Sequence, residues 1–232
     1  MVSVRACGRV FATCLGAIAL LSACIRINDY VRPTYVVRSV HPVSPDICPR
    51  VLLLPPACTD CTPRDVQLLV ELFRAELVEA GYSVPAPTVG IPGTGGPAPT
   101  DPATLQRIAE STGVDAVLVL RVRHYRPYRP PVVDLDASVY TVTGPGLAWE
   151  LHGVWDPRDG KVAARLERFA EQEIEPSVFR FRHSALLHSP HVFLRFVAHE
   201  VVTAMASGEL SPTEYSTQTA SDPSAPAALP SK

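Results

Sequence analysis

The stretch Ala116-Val117-Leu118-Val119-Leu120-Arg121-Val122 decides the fold class of this chain. Five apolar residues in a row precede Arg121, and most of them are β-branched or leucine, which predicts a strand buried on both faces of a sheet. Upstream, Arg50-Val51-Leu52-Leu53-Leu54 is a shorter apolar run bounded by prolines. It predicts a second buried strand.

Helix signals lie between these two strands. Thr62 is a suitable N-cap, Pro63 fits the first helical position, and Asp65 stands where a capping box places its acidic residue. Apolar residues recur at helical spacing up to Gly81, which ends the helix. Asp101-Pro102 opens another helix, which Gly113 closes. Strand and helix therefore alternate with short connections, which predicts helices packed on a sheet.

The second half of the chain has a different pattern. Residues 133–141 alternate between apolar and polar side chains, as a strand with one buried face does, and 149–155 repeat the alternation after a Gly-Pro-Gly turn. A charged, partly helical stretch follows from Val162, and Ser189-Pro190 opens a final helix that ends at Gly208. We therefore predict an α/β (α+β) fold: one mixed sheet of three to five strands, two or three packed helices, a hairpin and a final helix.

The N-terminus has the layout of an export signal. Arg5 and Arg9 give a basic start, and the apolar run from Val10 to Leu21 is too short to span a bilayer comfortably. Leu21-Ser22-Ala23-Cys24 follows, and it resembles the lipobox of bacterial lipoproteins. The resemblance implies cleavage before Cys24, acylation of Cys24 and anchoring in the membrane by its acyl chains. Ile25, rather than Asp, implies sorting to the outer membrane, with the domain facing the periplasm.

These patterns divide the chain into segments of different composition. Residues 25–47 mix polar, β-branched and proline residues, and we interpret them as a spacer that includes a short strand at 35–40. The predicted segments are a signal peptide (1–23), a tether (24–47), a periplasmic α/β domain (48–208) with a Gly/Pro-rich loop (85–100), and a disordered tail (209–232).

Three cysteines remain in the mature domain: Cys48, Cys58 and Cys61. The periplasm is oxidising, so we predict a disulfide between two of them, with the third left over. Cys58-Thr59-Asp60-Cys61 precedes a helix N-terminus, where a thiolate is stabilised. A redox-active pair is therefore the alternative to a structural disulfide.

Basic and aromatic residues cluster after the central strand. They are favoured at interface hot spots, and here they would bind an acidic partner such as an envelope protein, the phosphates of lipopolysaccharide or the carboxylates of peptidoglycan. The alternative is a solvated edge whose charges discourage aggregation. The predicted partner-binding residues are Arg121, Arg123, Tyr125, Arg126, Tyr128 and Arg129. The formal net charge of −2 argues against nucleic acid as the partner.

Sequence motifs for catalysis or cofactors are lacking. No GxSxG, Walker loop or GxGxxG occurs, and His199-Glu200-Val201-Val202-Thr203 lacks the second histidine of a zinc HExxH motif. Asp134 and Asp136 lie two apart on one strand, where they keep its outer face soluble. We predict no enzyme activity, no metal site and no cofactor.

A second resemblance covers about residues 50–205. The segments Val114-Asp115-Ala116-Val117-Leu118-Val119, His124-Tyr125-Arg126-Pro127-Tyr128 and Leu147-Ala148-Trp149-Glu150 are similar to lipoproteins of the CsgG type, a group that includes activators of penicillin-binding proteins. The resemblance implies a non-enzymatic binding or assembly role in the envelope. A homo-oligomer is compatible with it, and an oligomeric export-channel component is a further alternative. The chain lacks the long amphipathic hairpins that a pore would need.

Overall fold

The structure is a computed structural model that describes residues 34–39, 41, 43–86, 101–128, 130–143, 146–173 and 188–207. The predictions for the signal peptide, Cys24, most of the loop 85–100, Arg129 and the tail 209–232 lie outside the described residues.

The described residues form six strands and four helices. The strands are β1 (Tyr35–Ser39), β2 (Val51–Leu53), β3 (Ala57–Cys58), β4 (Ala116–Arg126), β5 (Val132–Thr141) and β6 (Leu147–Trp155). The helices are α1 (Pro63–Glu79), α2 (Pro102–Thr112), α3 (Gly160–Glu173) and α4 (Pro190–Ser207).

All six strands belong to one mixed sheet in the order β1-β6-β5-β4-β2, with β3 also beside β4. β2 and β3 run parallel to β4, whereas the β1–β6, β4–β5 and β5–β6 pairs are antiparallel. The predicted α/β fold, with its hairpin and final helix, is confirmed. The sheet has six strands rather than three to five because β3 and the short β1 both join it. β1 lies within the segment that we interpreted as a tether.

Capping at the predicted residues fixes where the first two helices begin. Thr62 Oγ1 accepts the amide of Asp65 at 3.2 Å, and Asp65 Oδ2 accepts the amide of Thr62 at 2.9 Å, so the capping box of α1 is complete. Asp101 Oδ2 accepts the amide of Thr104 at 3.0 Å at the start of α2. Gly113 ends α2 with a positive φ of 64°, a conformation that favours glycine.

The two faces of the sheet are covered unequally. Helices α1, α3 and α4 pack on one face and form the main core, which includes Phe73, Trp149, Phe193 and Phe196. Among the described residues, α2 is the helix on the other face, where it packs on β2, the first half of β4 and the end of β5. The rest of that second face, over the second half of β4, the remainder of β5, and β6 and β1, is left without a covering helix in the described part of the chain; we call it the open face.

A buried ion pair ties the beginning of β1 to the helical layer. Arg165 Nε of α3 lies 2.6 Å from Glu200 Oε1 of α4, with the side chains 7% and 12% exposed. Arg165 Nη2 donates to Thr34 Oγ1 at 3.1 Å, and Trp155 Nε1 donates to Glu200 Oε2 at 2.7 Å. One interaction therefore joins two helices, the end of β6 and the residue before β1.

The register places the ends of several strands at the same end of the sheet. Tyr35 of β1 lies opposite Gly153, Trp155 opposite Val133, and Arg126 opposite Val132. The end of the sheet that carries Thr34, Trp155 and Arg126 is called the entry end below, and the opposite end, where β1 finishes and β4 begins, the far end.

Gly153 allows β1 to approach β6 closely. A Cβ at this position would lie 2.6 Å from Cη2 of Trp155 and 2.7 Å from Cβ of Tyr35. The rings of Tyr35 and Trp155 are instead 5.9 Å apart between centroids, packed over the glycine. Cβ of Tyr35 is attached to the backbone and cannot rotate away, so a larger residue must push the strand.

We predict that Gly153→Ala lowers the free energy of unfolding by about 1–3 kcal/mol, the usual cost of forcing extra volume into a packed core. The matched control is Gly160→Ala, because a Cβ at Gly160 meets nothing within 4 Å. Urea unfolding followed by tryptophan fluorescence measures both variants. Equal stability of Gly153→Ala and the wild type would contradict the close approach.

Candidate functional site

A β-bulge divides the predicted partner-binding residues between the two faces of the sheet. Arg121, Arg123 and Tyr125 alternate in sequence and would share one face of a regular strand. The register of β4 against β5 shifts between Val122 and His124, so Arg123 stays on the open face while Tyr125 enters the main core at 4% exposure. The single basic and aromatic surface expected from the sequence is thus split.

The remaining predicted residues lie at the entry end. Arg126, the last residue of β4, is half-buried, and Tyr128 in the connection to β5 is 66% exposed. Arg129 lies outside the described residues. The binding role of all these residues stays a prediction.

The open face carries charged side chains aligned across neighbouring strands. Asp136 of β5 accepts Arg123 Nε at 2.6 Å, and its other oxygen lies 2.8 Å from Nδ1 of His152 on β6. Oδ1 of Asp134 is 3.8 Å from the same His152 nitrogen. Asp134 and Asp136 therefore converge on His152. The sequence predicted that these carboxylates lie on the outer face of β5, where the structure has them half-buried, but it did not predict their histidine, because strand register is needed to bring residues 136 and 152 together.

Apolar residues adjoin this charged row. Val36 of β1 and Val154 of β6 are each 43% exposed, and Val36 lies opposite His152 in the register. Arg121, opposite Asp136 on β4, is exposed as well. The open face therefore combines exposed apolar side chains, an arginine and a fixed network of charges.

The structure places Cys58 and Cys61 at disulfide distance, with 5.5 Å between their Cα atoms. Cys48 is the remaining cysteine in the described part of the chain, and it is buried. Burial, and to a smaller extent the carboxylate of Asp115, raises the pKa of the Cys48 thiol, so that it stays protonated and unreactive. Between the paired cysteines, Asp60 Oδ2 lies 3.3 Å from Nδ1 of His124.

A cleft of about 630 Å³ opens at the entry end. It lies between the start of α1, the β4–β5 connection and the start of α4. Its lining residues are Thr62, Arg64, Asp65, Gln67, Leu68, Glu71, Pro127, Tyr128, Ser189, Pro190 and His191. Three distant segments form this cleft, which explains why the sequence pattern did not reveal it.

The hydroxyl of Tyr125 is buried near this cleft and has no hydrogen-bond partner among the described residues. Burial, followed by the influence of Asp65 and Tyr128, raises the pKa of this hydroxyl well above its usual range. It remains a protonated donor at all physiological pH values. Both residues that influence it line the cleft.

Polar contacts between α1 and α4 hold the two walls of the cleft together. Glu76 of α1 is 3% exposed, and its oxygens lie 3.0 Å from Arg195 Nε and 3.0 Å from His199 Nδ1 of α4. Burial alone would raise the pKa of Glu76, but the contacts with His199 and Arg195 outweigh it and hold the pKa below its ordinary value.

Within the described residues no group of three or more His, Cys, Asp or Glu side chains is placed to hold a metal ion. In the same residues, no helix is both long enough and apolar enough to cross a bilayer.

Comparisons with known proteins give distant structural similarities. No protein-family model and no curated protein matches the chain. The PelC dodecamer from Paraburkholderia phytofirmans is 19% identical and covers 56% of this chain and 88% of the PelC chain, with a TM-score of 0.38. Lipoprotein GNA1162 from Neisseria meningitidis is 20% identical and covers 53% of this chain and 96% of its own, with a TM-score of 0.37.

A third solved structure, the hypothetical protein CT253 from Chlamydia trachomatis, is 10% identical and covers 70% of this chain and 97% of its own, with a TM-score of 0.37. Similarities at these TM-scores assign neither a family nor a function to this chain.

We predict that Glu76→Gln lowers the free energy of unfolding by about 2 kcal/mol at neutral pH, because hydrogen bonds to a charged group are lost from a buried site. The folded-state pKa of Glu76 lies below its ordinary value of 4.5. The contribution of the ionised Glu76 to the free energy of unfolding is therefore complete above that value, and it is lost as the pH falls through the lower folded-state pKa. The stability curves of variant and wild type should converge in acid.

Urea unfolding between pH 3 and pH 7 measures this difference. Glu79→Gln is the matched control. The Glu79 side chain is 64% exposed, and its ion pair with Arg195 Nη2 is long, at 3.8 Å. A gap between Glu76→Gln and wild type that stays constant over this pH range would contradict the assignment.

Proposed function

We propose that this chain is a lipoprotein anchored through Cys24 in the outer membrane, with a periplasmic domain that acts as a non-enzymatic binding or assembly component of the envelope. The sequence Leu21-Ser22-Ala23-Cys24 after a short apolar run supports the anchor, and Ile25 supports sorting to the outer membrane. Acyl chains on one cysteine supply enough buried CH₂ groups for stable attachment.

The observation that carries the binding role is the incomplete cover of the sheet. Among the described residues, α2 packs on only part of the second face and leaves most of β5, together with β6 and β1, with side chains that reach solvent. Protein interfaces place apolar side chains at their centre and polar groups at the rim, and arginine is enriched in them. Val36 and Val154 lie on the neighbouring strands β1 and β6, and Arg121 lies two strands from β6 on the same face, so the open face fits this description.

The fixed charges of the open face favour a partner of defined chemistry. Asp136 holds both Arg123 and His152, so these side chains are ordered before any partner arrives, which lowers the entropy lost on binding. Arg123 is already paired with Asp136, so the exposed Arg121 on the same strand would pair with a carboxylate of the partner. We therefore propose a protein partner that presents acidic side chains to Arg121 and apolar ones to Val36 and Val154.

We predict that a photoreactive residue at Val154 crosslinks one envelope protein in intact cells. Once purified, that protein should bind the double variant Arg121→Glu/Val154→Lys at least about tenfold more weakly than it binds the wild-type chain. The reason is that an interface hot spot contributes more than 1.4 kcal/mol. Arg107→Glu on the surface of α2 is the control and should bind as the wild type does. Titration calorimetry gives the dissociation constants.

Two results would contradict the proposal. One is unchanged affinity of the double variant; the other is recovery of crosslinked peptidoglycan without any protein. The redox function of Cys58 and Cys61 and the export-channel role stay predictions that no observation in the described structure favours over this one.

A further inference from the structure

Three helices begin at the entry end of the domain. α1 starts five residues after Cys58, which lies opposite Val122 in the second half of β4, and α3 starts five residues after Trp155. The beginning of α4 shares the cleft with the beginning of α1 and with Tyr128. The chain itself enters the domain here, through Thr34, which Arg165 holds.

The length of chain before Thr34 limits how far this end can lie from a membrane anchor. Ten peptide units separate Cys24 from Thr34. Fully extended they reach about 35 Å, at roughly 3.5 Å per residue. Strand β4, with 11 residues, is itself about 36 Å long. The far end could therefore touch the membrane only if the tether were stretched along the whole domain.

The exposed charges at the entry end suit phosphate groups. Arg64, Arg158 and Lys161 are exposed there. Three of the neighbouring carboxylates are engaged with the backbone: Asp65 accepts the amide of Thr62, Asp156 that of Arg158, and Asp159 that of Lys161. A fourth, Asp60, instead contacts the ring of His124. The cationic side chains can therefore extend outward while the carboxylates stay near the helix N-termini.

Tyr128 adds an amphipathic aromatic ring at the same end, 66% exposed. Tyrosine is enriched where one end of a side chain meets apolar material and the other meets water, as at a membrane surface.

The far end offers a competing contact that is less suitable. Ile47 and Val78, each 57% exposed, lie there close to the contact of Gly81 with Pro45. Each has an acidic neighbour in sequence, Asp46 and Glu79 respectively. Contact through this end would bring these two carboxylates to an anionic phospholipid surface, just as contact through the entry end brings Asp156 and Asp159, so the limit set by the length of the tether separates the two ends.

We infer that the entry end rests on the phospholipid headgroup layer, with Tyr128 in the interface and Arg64, Arg158 and Lys161 contacting headgroup phosphates. This inference rests on the proposed anchor at Cys24. It directs the cleft toward the membrane, and it leaves the open face, which runs along the strands, standing away from the bilayer and accessible from the side.

The test uses full-length acylated protein in vesicles of phosphatidylethanolamine and phosphatidylglycerol that contain a lipid with a spin-labelled headgroup. A fluorophore is attached to Tyr128→Cys or, as the matched control at the far end, to Val78→Cys. Cys48 is buried and Cys58 and Cys61 are paired, so the new cysteine is the reactive one. We expect the label at 128 to lose most of its fluorescence to the spin label and the label at 78 to keep most of it.

Charge reversal tests the headgroup contact. Arg64→Glu/Lys161→Glu should reduce quenching at 128, whereas Arg107→Glu on α2 should not. Equal quenching at 128 and 78, stronger quenching at 78, or no effect of the double reversal would overturn the inference. Flotation of the unlabelled protein with vesicles reports the anchor separately: protein that floats with the wrong orientation overturns only this inference, and protein that does not float overturns the proposed anchor as well.

Discussion

The buried ion pair between Arg165 and Glu200 is the interaction on which the arrangement of this domain depends. It crosses from α3 to α4, and its two side chains also hold Trp155 at the end of β6 and Thr34 just before β1. Taking two charges out of water is costly, and the cost is offset only because their remaining polar atoms have partners as well. The pair consequently fixes a geometry: the first strand, the last strand and both C-terminal helices meet at one point.

Fixing β1 at that point has two consequences, one for the open face and one for the segment that precedes the domain. β1 extends the sheet beyond β6 and widens the face that α2 leaves uncovered, so the charged row of Arg123, Asp136 and His152 continues toward Val36. It also shortens the segment between Cys24 and the folded domain, because residues that looked like a spacer are part of the sheet. The attachment point and the docking surface that we propose are thus set by the same strand.

Local signals in the sequence were sufficient for the elements that they specify by themselves. The apolar run at 116–122, the cap at Thr62 and the alternation after Val133 predicted β4, α1 and the hairpin, since propensity, capping and burial agree there. β3 has two residues and follows Pro55-Pro56, too short for any periodicity to show. The position of Tyr125 could not be predicted, because a bulge that adds one residue to β4 reverses the alternation, and only pairing with β5 reveals it. The cleft and the Asp136–His152 contact join distant segments and require the tertiary fold.

A double-mutant cycle on Arg165 and Glu200 tests most directly whether this ion pair organises the domain. Arg165→Met and Glu200→Gln should each lower the free energy of unfolding by about 3–5 kcal/mol, because each leaves a buried charge without its partner. The double variant removes both charges and keeps an acceptor for Trp155. Its loss of free energy of unfolding should therefore be far smaller than the sum of the losses in the two single variants. Single-variant losses that simply add in the double variant would contradict the account.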